Sequence, residues 1–144
     1  MSATLLRSAS RDASATRSST SRRTLWTGRI LTGLAVAFLL FDTTVKLVGA
    51  KEAVEGTVQL GYQAHHLPIL AAIEIVLLVL YLIPRTAPLG AVLWTGYLGG
   101  AIATHFRLDN PLFSHTLFPI YVAALIWGGL YLRDARVRAV LGKR

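Results

Sequence analysis

At 144 residues, with 53% apolar and only 15% charged side chains, the chain carries more apolar surface than a soluble domain of its size can bury. Its 15 Lys+Arg against 7 Asp+Glu suit a nucleic-acid binder by number, but the basic residues crowd the two ends. That asymmetry orients a membrane protein, so nucleic acid is set aside and the lipid bilayer becomes the expected partner. The absence of cysteine excludes disulfides, thiolate nucleophiles and iron–sulfur clusters within the chain.

Residues 1–24 form a leader of Ser, Thr, Ala and Arg with one acid, Asp12. Such a segment buries too little apolar area to offset its ordering entropy, so it reads as a disordered basic tail near anionic lipid. The same composition suits a mitochondrial transit peptide, and both readings stand.

Four apolar segments follow, at residues 25–48, 67–83, 87–106 and 115–132. Each is close to the roughly 20 residues that cross a bilayer as a helix. The predicted fold is all-α, an integral membrane antiparallel four-helix bundle over residues 25–132, with a basic tail at 133–144. Val48-Gly49-Ala50 has the small-residue look of a signal cleavage site, but Asp42 and Lys46 within the segment and the long leader before it argue against removal. Arginines in the leader, Arg85 in the short link between spans two and three, and Arg133, Arg136 and Arg138 in the tail place both termini on the cytoplasmic side. A multi-pass protein of the cell's inner membrane is the expected localisation.

Within the outer loop, residues 51–66, Val54, Val58 and Tyr62 recur at helical spacing, while Gly56 and Gly61 weaken a helix. A surface helix and an irregular loop are both compatible with that pattern. In span three Gly96, Gly100 and Thr104 repeat every four residues beside Gly99, which predicts close approach of a neighbouring helix, with Gly128 and Gly129 doing the same in span four.

Ionisable side chains within a bilayer are costly and demand a reason. Asp42 and Glu74, and with them Tyr97 and Tyr121, fall roughly 9–12 Å below one outer surface when depth is counted at about 1.5 Å per residue. Each span thus offers one polar group to a single layer. Above it come Lys46, His105, Arg107 and His115, with His65 and His66 in the adjoining loop. The pattern predicts an outward-facing polar pocket, with Asp42, Lys46, Glu74, Tyr97, His105, Arg107 and Tyr121 as its ligand-binding residues. Two neighbouring carboxylates in low dielectric favour sharing a proton, or can hydrogen-bond a carbonyl such as a quinone's. The competing reading of the same residues is ionic glue, with Asp42 and Lys46 pairing one turn apart and Glu74 joining Lys46 or His105. No metal-ligand spacing, phosphate-binding glycine loop or nucleophile elbow is present, so no catalytic residue and no metal is assigned.

The stretch IPRTAPLGAVLWTGYLGGAIATHFR, followed by LFSHTLFPIYVAALIWGGLYLRD, resembles the DoxX-like membrane proteins. Arg29, the segment FDTTVK and Leu60-Gly61-Tyr62 extend the resemblance over residues 25–138. It implies a four-helix membrane bundle from a mainly bacterial family, some of whose relatives are subunits of a thiosulfate:quinone oxidoreductase or belong to oxidative-stress complexes. The implied function is an accessory subunit of a quinone-linked membrane redox system, with a membrane oxidoreductase as partner, since a cysteine-free chain needs another for any sulfur step. A small proton-coupled transporter, in the form of a homo-oligomer, and a membrane scaffold or assembly protein are the competing classes.

Overall fold

The computed structural model describes residues 21–142, and among them every regular element is helical. In chain order these are α1 (Arg22–Leu47), α2 (Lys51–Gln59), α3 (Leu67–Leu82), α4 (Ala87–Arg107), α5 (Phe118–Arg133) and α6 (Ala135–Leu141). A 3₁₀ turn, Ala64–His66, leads into α3, and a wide π turn, Leu112–Thr116, leads into α5. The leader expected at 1–24 lies outside the described residues as far as residue 20. Its last residues already belong to the first turn of α1.

Proline sets where the long helices begin. Pro68, Pro88 and Pro119 stand in the first two positions of α3, α4 and α5, where their missing N–H is no loss. Between α3 and α4, Thr86 Oγ1 donates to Leu80 O at 2.7 Å and holds the tight reversal. The loop at 51–66 resolves in favour of a helix: α2 forms despite Gly56, where an added Cβ would meet nothing within 4 Å, and is bracketed by Gly49 (φ 64°) and Gly61 (φ 85°).

The four long helices pack in a ring, α1 between α3 and α5, and α4 between the same two. One core joins them through Ala35 and Leu39 of α1, Leu78 and Tyr81 of α3, Trp94 and Leu98 of α4, and Val122, Ile126 and Leu130 of α5. Tyr81 is buried and donates its hydroxyl to Ile126 O at 2.9 Å, which meets the requirement that a buried polar group be paired. The outer faces are the reverse of a soluble protein's: Leu34, Phe41, Val76, Val92 and Ile120 are all exposed, a covering that lipid satisfies and water does not.

Three helical stretches, Arg22–Leu47, Ala64–Leu82 and Leu112–Arg133, are long and apolar enough to cross a membrane. The fourth expected span, α4, has the length but not the hydropathy, because glycine, threonine, Trp94 and Tyr97 dilute its aliphatic residues. The expected glycine contacts in α4 are corrected. A Cβ placed on Gly96, Gly99 or Gly100 meets nothing within 4 Å. Close approach happens elsewhere: a Cβ on Gly90 would stand 2.6 Å from Tyr81 N, and one on Gly129 2.8 Å from Thr32 N with Gly28 O beside it. A Cβ on Gly128 would meet only the Leu31 side chain, at an ordinary 3.7 Å. These contacts, with Arg136 Nη2 bonded to Pro84 O at 2.6 Å, tighten the end of the bundle that holds both described termini. The opposite end is looser and contains a cavity.

Candidate functional site

The chemistry gathers where α1, α3 and α4 meet below α2. Lys46 forms ion pairs with both Asp42, one turn before it, and Glu74 of α3. Glu74 is wholly buried, at 0% exposure. Its Oε1 also accepts the Tyr97 hydroxyl at 2.5 Å, and its Oε2 accepts the Thr43 hydroxyl at 2.8 Å. An ionised carboxylate inside a bundle is tolerable only when its lone pairs are filled by donors such as these. Lys46 Nζ further lies 5.9 Å from the Tyr97 ring centre, within range of a cation–π contact.

Beside this cluster opens a cavity of about 1030 Å³, walled by α1, α2, α3, α4 and the start of α5. Asp42, Lys46 and Tyr97 form part of its wall, whereas Glu74 stands behind it. The two acids therefore differ: the Asp42 side chain is 36% exposed and reachable, and Glu74 is sealed. Most of the remaining lining is apolar, including Phe38, Leu39, Leu70, Ile73, Phe118 and Val122. A largely apolar volume with a few convergent polar groups is the form that small-molecule sites take.

His105 and His115 both line the cavity, their rings 5.9 Å apart. His105 Nδ1 shares a hydrogen bond with Asn110 Nδ2 at 2.9 Å, and His115 Nδ1 one with Ser114 Oγ at 2.8 Å. His105 thus joins neither acid. Two expected residues stand apart from the cavity. Tyr121 is 48% exposed and its hydroxyl donates to Phe113 O at 3.4 Å, because α5 starts after the π turn and rotates that side chain outward. Arg107 instead reaches back to Leu60 O at 3.3 Å, beside Gly61. His65 and His66 pack on one another away from the lining. Among the described residues no three His, Asp or Glu side chains gather as a metal site.

The sequence reading missed Thr43, Trp94, Thr104, Asn110 and the whole contribution of α2, which lends Glu52, Ala53, Gly56 and Thr57 to the wall. Thr43 had a signal: it lies three residues before Lys46, on the same face of α1. The position of α2 over the cavity had none, because it depends on the turns at Gly49 and Gly61.

No curated protein and no solved structure matches the chain. The sequence profile of the DoxX-like family matches residues 30–129, from the first turns of α1 to near the end of α5. That match covers the ion cluster and the cavity together, in an all-α protein whose exposed helix faces are built for lipid. The chain belongs to the DoxX-like family.

Proposed function

We propose that the protein binds a small lipophilic molecule with a polar head in the cavity between α1, α2 and α4, and that it serves as an accessory subunit of a quinone-linked membrane redox system. The observation that carries this reading is the Asp42–Lys46 pair set into a largely apolar wall of a cavity of about 1030 Å³. Charged groups within a membrane bundle are expensive, and here one acid is left reachable from an open volume. A quinone's carbonyl suits the third N–H of the Lys46 ammonium, the other two being held by Asp42 and Glu74, and its ring suits the aromatic and aliphatic lining.

In this arrangement α4 is the fourth crossing, since its 21 residues span about 31 Å at ~1.5 Å per residue. Both termini are then cytoplasmic, with Arg22, Arg23, Arg85, Arg133 and Arg136 at one end, and the cavity lies in the outer half of the bilayer.

The test is binding of decylubiquinone to the purified full-length protein, followed by quenching of tryptophan fluorescence. Asp42→Asn keeps the Lys46–Glu74 pair but removes the carboxylate that holds the Lys46 ammonium at the cavity wall, so the folded yield should hold while affinity falls about tenfold, the worth of one charge-assisted contact. Unchanged affinity in a folded Asp42→Asn protein would count against the reading.

Glu74 favours a second role for part of the same cluster. Its complete burial and its three donors suit ionic glue between α1, α3 and α4. Glue and ligand site then divide between the two acids: Glu74 holds the helices and Asp42 holds Lys46 toward the ligand.

A further inference from the structure

The cavity wall continues along α4 through Gly96, Gly100 and Thr104. Contacts fix how that helix is turned: Gly90 and Tyr97 meet α3 at Tyr81 and Glu74, and Thr95 meets α5 where Trp127 Nε1 donates to its hydroxyl at 2.8 Å. At about 100° per residue the glycine stripe lies past Tyr97, on the α3 flank and away from α5. From α3 the cavity wall includes Leu70 and Ile73, and Ile73 is itself 42% exposed. Gly96 and Gly100 are exposed too, with nothing within 4 Å of an added Cβ. Above them Tyr62 Oη and Thr104 Oγ1 lie 3.2 Å apart and bridge the gap like a lintel. The volume therefore reaches the lipid-facing side of the α3–α4 seam.

A glycine within a helix costs about 1 kcal/mol relative to alanine. Gly90 and Gly129 offset that cost by letting backbones touch, whereas Gly96 and Gly100 touch nothing. Their contribution is empty space, and the space adjoins the cavity.

We infer that Gly96 and Gly100 frame a lateral window through which the apolar tail of a single-tailed ligand passes into the bilayer, while its polar head stays against the Lys46 ammonium. This rests on the ligand-binding reading of the cavity and adds the class of ligand: a head with hydrogen-bond acceptors and one long chain. A closed site would have to swallow the tail; a window needs to hold only the head and the first part of the chain.

The experiment compares two probes on the full-length protein, decylubiquinone and its tail-less counterpart 2,3-dimethoxy-5-methyl-1,4-benzoquinone. Gly96→Phe and Gly100→Phe place a ring in open space, so folding is spared, and thermal unfolding in detergent verifies this. The expected result is at least a tenfold loss of affinity for the tailed probe, a change within twofold for the tail-less one, and no effect of Gly96→Ala or Gly100→Ala on either. Equal weakening of both probes, or of neither, overturns the window and leaves the binding site standing. Failure of the unaltered protein to bind either probe overturns both. If the phenylalanine variants convert a dimer to a monomer and both probes respond alike, the stripe is a contact between copies and the window is wrong.

Discussion

At the termini end of the bundle Gly28, Gly90 and Gly129 lie against backbone atoms 2.6–3.2 Å from where a Cβ would stand, while at the cavity end Gly96, Gly99 and Gly100 have no neighbour within 4 Å. The same residue thus serves one half by contact and the other by vacancy. The halves differ in polarity as well. The tight half is held by Tyr81, Ile126 and Leu130, and the open half by an ion cluster. A stable lower half lets the upper half keep a cavity and a buried charge, both of which cost stability.

The comparison breaks most readily at Lys46. Lys46→Met leaves Glu74 buried with no cation, and the expected loss is about 3–5 kcal/mol, seen as a large drop in the unfolding midpoint in detergent. Adding Glu74→Gln to that variant removes the stranded charge and should restore more than half of the loss. A double variant as unstable as the single one would show that the charge is not the cause. Next in size is glycine in the tight half. Gly90→Ala and Gly129→Ala drive a methyl into backbone and should cost about 1–3 kcal/mol each, whereas Gly96→Ala and Gly100→Ala should stay within about 0.5 kcal/mol. Similar midpoints for all four would erase the distinction between the halves.

The smallest effect lies at the end of the chain. Asp134 caps α6 by accepting Arg136 N at 2.8 Å, and its side-chain bond to Arg136 holds its carboxyl below the ordinary value of 3.8. A lowered folded value means that the carboxylate's contribution is complete above 3.8 and disappears as pH falls through the folded value. Asp134→Ala should therefore cost about 1 kcal/mol at pH 7, and the gap to the unaltered protein should close on acidification toward pH 3. A gap that persists at low pH would assign the loss to packing.

Much of the fold can be read in the sequence because a bilayer demands long apolar runs, and the helices start and stop within three residues of the predicted bounds. The meeting of Asp42, Lys46, Glu74 and Tyr97 is legible by counting depth along each helix. Depth carries no rotation, however. Tyr121 shares the level of that layer but points outward, since the π turn before α5 resets its phase. Spacing likewise misled at Gly96 and Gly100: small residues four apart mark a smooth face, but not whether a helix, a ligand or lipid covers it.

Gly49 and Gly61, with φ of 64° and 85°, take backbone angles that other residues adopt only at a cost of roughly 1–2 kcal/mol. Neither touches the cavity, but the nine residues of α2 hang between them as a crossbar on two swivels, and one face of the crossbar supplies Glu52, Ala53, Gly56 and Thr57 to the wall. The mouth of the site therefore takes its shape from two hinges that lie outside it. Substitutions there would tilt the crossbar and alter the opening without removing a single residue that a ligand meets.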